Sequence, residues 1–262
     1  MPELPDVEIF RQYMNDTVLL KKIVNTEVLE PSLLEDVSPS QLVRRLTNAC
    51  FIQTCRHGKY LFTQIHGGEW LILHFGMTGY LKYFKNEDVL PKHTRLLVHF
   101  DNNYGLAYVC QRKLGKIGWT ARISDYIDKS NLGPDALSNK LNEEEFKNRI
   151  HGKRGTIKSR LMNQKIIAGL GNIYTDEILF HAGLHPKTRP DALNDDQRTI
   201  LYRQMRSVLK TAIENKADPE QFPNDSLLLH RKNGETCPRC GGKIQKIKVI
   251  GRPTYYCEKH QS

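Results

Sequence analysis

The sequence predicts an α+β protein with a β-rich first half, a helical second half and a small metal-clipped hairpin at the C-terminal end. Three observations carry that prediction. Short runs of aromatic and β-branched residues recur between about 43 and 120, punctuated by glycine. Beyond a break at Asn131-Leu132-Gly133-Pro134, the apolar residues switch to helical spacing. Two close pairs of metal-ligand residues, Cys237-Pro-Arg-Cys240 and Cys257-Glu-Lys-His260, lie a hairpin's length apart.

Taken in order, residues 5–18 read as an amphipathic helix. Pro5 suits its first turn, Asp6 and Glu8 suit the positive end of the helix dipole, and Val7, Phe10, Met14 and Val18 share one face. Strands are predicted over 60–65, 70–75, 80–84, 95–100 and 105–110, a spacing that suggests a sandwich or a barrel. In the second half, Asn142 before three glutamates marks a capped helix start. A basic turn at 152–155 precedes a helix over 157–163. The glycine-rich 168–172 leads into a helix over 174–182, and 191–216 is a long helix with Leu201, Met205, Val208, Leu209 and Ile213 on its apolar side. Domain boundaries follow at 1–133, 134–222 and 223–262.

The 39 basic residues outnumber 29 acidic ones, a net charge of +10. The excess is clustered. Residues 147–160 hold six Lys/Arg and no acid, and 223–262 hold eight against three. Clustering of this kind marks a polyanionic partner. No apolar run approaches the roughly 20 residues needed to cross a bilayer, and the acidic, proline-bearing start is unlike a signal peptide. An intracellular protein without membrane contact is expected, so its six cysteines are read as thiols or metal ligands. Cys237, Cys240, Cys257 and His260 suit one structural zinc ion with no position left for water. So short a segment needs the metal for much of its folding free energy. Cys50, Cys55 and Cys110 are read as packing residues.

Pro2 follows Met1, and a small second residue permits removal of the initiator methionine. The exposed secondary amine would have a pKa near 7.7–8.0, so roughly a tenth is neutral at pH 7. A neutral amine attacks electrophilic carbon, and the adjacent Glu3 could donate a proton if burial raised its pKa.

That pair heads a series of motifs. MPELPDVE, Arg56-His57-Gly58-Lys59-Tyr60-Leu61, His74-Phe75-Gly76-Met77-Thr78-Gly79, Leu132-Gly133-Pro134, Gly169-Leu170-Gly171-Asn172-Ile173-Tyr174 with Glu177, and Gly251-Arg252-Pro253-Thr254 in the terminal finger occur in this order. Together they resemble the Fpg/Nei family of DNA glycosylases over essentially the whole chain. The resemblance implies an N-terminal β-sandwich flanked by the first helix, a helix–two-turn–helix module and a zinc-finger hairpin, with damaged double-stranded DNA in the cleft between and a monomeric enzyme. It implies Pro2 as nucleophile on deoxyribose C1′, Glu3 as the acid that protonates the sugar, and Lys59, Asn172 and Arg252 as phosphate contacts. Met77, Arg112 and Leu114 fall where the family fills the void left by an extruded base. His74 and Lys158 are further candidate DNA contacts.

Three departures stand out. His260 replaces the usual fourth cysteine, Leu114 replaces phenylalanine, and the 217–231 segment is shorter than the lesion-capping loop of the 8-oxoguanine branch. The last favours the Nei-like side: oxidised pyrimidines, hydantoins and abasic sites, followed by β,δ-elimination. The Fpg-like alternative is excision of 8-oxoguanine and formamidopyrimidines. A non-catalytic binder of damaged DNA and a basic RNA-binding zinc protein are the competing classes, but neither gives a reason for the Pro2-Glu3 pair.

Overall fold

The computed structural model describes residues 1–262, in two compact units. One holds Met1–Pro2 and Asp6–Asn131; the other holds Glu3–Pro5 and Leu132–Ser262. Helix α1 (Leu4–Thr17) leads into β1 (Ile23–Val28), β2 (Leu34–Glu35), α2 (Pro39–Leu46), β3 (Phe51–His57), β4 (Tyr60–Ile65), β5 (Trp70–His74), β6 (Gly79–Lys85), β7 (Thr94–Phe100), β8 (Tyr104–Cys110), β9 (Lys116–Thr120) and α3 (Ile123–Lys129). The second unit contains α4 (Glu143–Ile150), α5 (Ile157–Leu161), α6 (Asn172–His181), α7 (Asp195–Glu214) and the hairpin β10 (Ile244–Val249) and β11 (Arg252–Cys257).

The first unit resolves the choice between sandwich and barrel. It has two sheets, ordered β1-β7-β8-β6 and β2-β9-β5-β4-β3. Leu61, Leu71, Leu73 and Ile117 from one sheet share a buried cluster with Leu96, Val98, Phe100, Leu106 and Tyr108 from the other, closed by Val7, Met14 and Val18 of α1. Alternation puts these side chains on the inner faces. Two elements depart from the sequence reading. The β region was expected from about 43, but 39–46 is helical, with Ser38 and Gln41 closing a capping box and Pro39 in the first turn. The long helix begins at Asp195 rather than 191, because Asn194 accepts from the Gln197 amide and caps it there.

In the second unit α4–α7 bury Phe146, Ile150, Ile157, Leu161, Ile178, Leu179, Leu201, Met205 and Leu209 together with Leu4. A smaller core joins Phe180 of α6 to Leu227, Cys237, Ile244 and Cys257, so α6 completes the apolar floor of the terminal hairpin. No helix is long and apolar enough to cross a membrane.

Candidate active site and metal centre

Within the sandwich unit the site residues sit on tight turns. Lys59 is the second residue of the two-residue loop between β3 and β4, where His57 pairs with Tyr60. Gly58 takes φ 57° there, a value the first position of such a turn demands of glycine. Lys59 is 8 % exposed. His74 ends β5 beside Tyr60, with ring centroids 4.8 Å apart, and its Nδ1 accepts from the Gly76 amide at 3.4 Å. Burial first, then Lys59 and Lys116, pull the His74 imidazole down to about 4. It is neutral at pH 7, and with Nδ1 accepting, Nε2 carries the proton and can donate to an acceptor.

Met77, Arg112 and Leu114 are brought together on adjoining turns. The Arg112 amide meets Thr78 Oγ1 at 3.3 Å. A Cβ on Gly76 would lie 2.4 Å from the Leu114 backbone, so this approach requires glycine, and φ 59° requires it again. Met77 is half-buried, whereas Arg112 and Leu114 are exposed.

The helical unit holds its charged groups differently. Glu3 is buried, and its carboxylate accepts from the amides of Gly171 at 2.8 Å, Ile173 at 2.8 Å and Tyr174 at 3.3 Å. Gly171 offers no side-chain cap to α6, so Glu3 closes that helix end, where the dipole favours a negative charge. Glu3 thereby occupies the helix-start amides that would otherwise suit an anion. The glycines of the motif make room for it. A Cβ on Gly171 would lie 2.4 Å from the Glu3 carboxyl carbon, and one on Gly169, at φ 118°, would lie 2.6 Å from Leu4. Pro2, just before Glu3, is half-buried.

Asn172 and Arg252 are neighbours. Asn172 Nδ2 donates to the Pro253 carbonyl at 2.9 Å, tying the first turn of α6 to the hairpin, and Arg252 is exposed at its tip. Lys158 is a correction. Expected to contact DNA, it has no exposed surface, and its Nζ donates to Asp176 at 2.5 Å and to Thr254 Oγ1 at 2.7 Å. Burial pulls the Lys158 ammonium below its ordinary value and pushes the Asp176 carboxyl above its own, against their mutual attraction. Arg231 completes the cluster at 3.0 Å from Asp176. Lys158 is a strut joining α5, α6 and the hairpin. Sequence reasoning missed Asp176, Arg231 and Thr254, because nothing in their spacing signals the contact.

At the hairpin, Cys237, Cys240 and Cys257 converge with their sulfurs within 4.8 Å of one another, and the Cys240–Cys257 pair is 3.5 Å apart. Tetrahedral zinc with Zn–S near 2.3 Å spaces sulfurs about 3.8 Å apart, so this donor set fits a structural zinc ion. His260 is not among the converging donors. Its Nε2 meets the Phe180 carbonyl at 2.8 Å and its ring packs on Phe180, with centroids 4.8 Å apart.

Family models match nearly the whole chain. The formamidopyrimidine-DNA glycosylase N-terminal domain matches residues 1–117, the H2TH domain of the same enzymes 132–223, and the zinc finger found in Fpg and isoleucyl-tRNA synthetase 234–259. A formamidopyrimidine-DNA glycosylase of Acaryochloris marina is 32% identical, covering 100% of this chain and 99% of the relative. One from Symbiobacterium thermophilum is 33% identical, covering 100% and 89%. The crystal structure of wild-type Lactococcus lactis Fpg with DNA containing N7-benzyl-Fapy-dG matches with TM-score 0.92 at 30% identity, covering 100% of both chains. The same enzyme bound non-covalently to abasic-site DNA matches with TM-score 0.90 over 99% of both. These relatives are named for formamidopyrimidine, so the leaning toward oxidised pyrimidines is unsupported. Within the 217–231 segment, Phe222 and Leu227 are buried, and the Leu227 amide donates to Glu177 at 3.0 Å. Matching domain by domain and end to end, the chain belongs to the formamidopyrimidine-DNA glycosylase family, enzymes of base excision repair that carry a zinc finger.

Proposed function

We propose that this chain excises formamidopyrimidine and 8-oxoguanine from damaged double-stranded DNA and then cleaves the abasic strand, acting inside the cell as a monomer. The observation that carries the reading is the anchoring of Glu3 by the Gly171, Ile173 and Tyr174 amides, which fixes the residue beside Pro2. Once Met1 is removed, the Pro2 nitrogen has a lone pair for deoxyribose C1′. As the N–C1′ bond forms, the bond from C1′ to the base breaks and the base leaves with that electron pair, taking a proton from water. The Glu3 carboxylate takes the proton that the Pro2 nitrogen sheds and delivers it to the ring oxygen, the sugar opens, and the nitrogen lone pair closes an iminium to C1′. Loss of a C2′ proton expels the 3′ phosphate, and a second elimination expels the 5′ phosphate.

Lys59, neutral His74, Asn172 and Arg252 bind the backbone around the lesion, while Met77, Arg112 and Leu114 enter the stack when the base leaves. Cys237, Cys240 and Cys257 would hold zinc, and His260 would reach it as a fourth ligand only by moving in from its place beside Phe180. In that place the Phe180 carbonyl accepts from the His260 Nε2–H, which leaves the lone pair on Nδ1. The ion supplies structure rather than chemistry.

Borohydride trapping tests the nucleophile. Wild-type protein with a verified Pro2 terminus should form a covalent adduct with abasic or lesion-bearing duplex, and Pro2→Gly should reduce adduct yield at least tenfold. Absence of a wild-type adduct overturns the chemistry. A panel of duplexes with single lesions tests the substrate: faster cleavage at an oxidised pyrimidine than at formamidopyrimidine or 8-oxoguanine overturns the lesion class.

A further inference from the structure

The tip of the terminal hairpin carries a residue that its backbone does not favour. Val249 pairs with Arg252 across β10 and β11, leaving Ile250 and Gly251 as a two-residue turn. Both have positive φ, 44° and 74°, as a type I′ turn requires. Asn-Gly is the favoured pair at such a turn, and a β-branched residue at positive φ is a real outlier. Nine other non-glycine residues have positive φ: Leu20, Asp36, Asn48, His93, Asn103, Lys113, Asn131, Lys216 and Ala217. None is β-branched. Ile250 gains little from the fold in return, since it is 55 % exposed. Around it lie exposed Lys246, Lys248 and Arg252, and 243–257 contains four Lys/Arg and no acid. An apolar side chain held out at the apex of an all-basic ribbon is matched by a surface that is anionic at its edge and apolar within. A groove of duplex DNA has that character, with phosphates on the rim and deoxyribose and base faces between.

We propose that Ile250 is a DNA-contacting residue, packing its side chain against deoxyribose and base edges in the groove beside the phosphate that Arg252 neutralises. The inference rests on the reading of Arg252 as a phosphate contact. Backbone strain at the tip is accepted so that an apolar group stands where the strand passes.

The test uses the full zinc-loaded chain and a duplex bearing a tetrahydrofuran abasic analogue. It compares wild type, Ile250→Asn, Ile250→Gly and Arg252→Ala in melting temperature, Kd and salt dependence of Kd. Relief of the turn should raise the melting temperature of Ile250→Asn by about 2–4 °C. Both Ile250 variants should weaken Kd by about five- to tenfold, the loss of a partly buried aliphatic side chain. Their salt slope should equal that of wild type, while Arg252→Ala should flatten it by about one phosphate. Wild-type Kd in both Ile250 variants, with Arg252→Ala weakened, overturns the inference and leaves the phosphate reading standing. Wild-type Kd in Arg252→Ala as well overturns that reading and the inference with it. A lower melting temperature in Ile250→Asn removes the strain argument.

Discussion

The sandwich turns and the start of α6 each present polar groups assigned to the proposed chemistry, but they hold them by opposite means. In the sandwich the backbone does the positioning. Gly58 and Gly76 adopt positive φ, the turn carrying Met77 is joined to the one carrying Arg112 and Leu114 by a single backbone-to-Thr78 bond, and the side chains of Arg112 and Leu114 stay exposed. At α6 the side chains do the positioning. Glu3, Lys158 and Asp176 are buried, and backbone amides or opposite charges meet them. The difference teaches where substitutions will hurt. At Arg112 and Leu114, side-chain changes should alter binding and leave stability nearly intact. Around α6, the same kind of change removes a partner from a buried charge, and stability goes with it.

The largest effect expected from that contrast is at Asp176. Asp176→Ala leaves the Lys158 ammonium fully buried with Thr254 as its one remaining hydrogen-bond acceptor, and breaking a buried pair by removing one member costs roughly 3–5 kcal/mol. A melting-temperature fall of about 10 °C is expected. Replacing Lys158 and Asp176 together by Met and Leu should recover most of it, since well-packed apolar pairs often equal a buried ion pair. A loss below about 1 kcal/mol in Asp176→Ala would show that the cluster is solvated and that the contrast between the two regions is false.

Next is Gly171→Ala. Its backbone, at φ −128°, suits any residue, so strain plays no part, but the new methyl would overlap the Glu3 carboxylate at 2.4 Å. Glu3 must surrender amides of α6 to move. A cost of about 1–3 kcal/mol follows from forced repacking, and adduct formation should fall at least tenfold because Glu3 leaves its position. Retained trapping at reduced stability would mean that Glu3 is a helix cap and nothing more.

This contrast also explains what could be read in the sequence. The strands from Tyr60 onward and the turn glycines were legible, because a period of two and a glycine between strands are local signals. The convergence of Cys237, Cys240 and Cys257 was legible for the same reason. Helix α2 was not, although Ser38 and Gln41 spell its capping box; its eight residues are too few for apolar periodicity to stand out. The burial of Lys158 could not be read at all. Asp176 lies 18 residues away and Thr254 lies 96 away, so only the tertiary fold reveals that this lysine, set among basic neighbours, faces inward.

The smallest effect sharpens the comparison from the sandwich side. Burial shifts His74 strongly, down to about 4 from an ordinary value near 6.5. Its folded-state pKa lies below the unfolded one, so the unfolded chain binds this proton more readily. Above about pH 7 both states hold neutral imidazole and His74 adds no pH dependence. As pH falls from about 6.5 through about 4, the unfolded state gains a proton that the folded state refuses, and stability drops. Because the ring is partly open to solvent, the difference between wild type and His74→Gln should be on the order of 1 kcal/mol at pH 5. Denaturant titrations at pH 7.5 and 5 measure it, with the wild type losing more than the variant. Equal losses would mean that the imidazole is solvated and charged, and that His74 meets a phosphate as a cation instead of through a neutral Nε2–H.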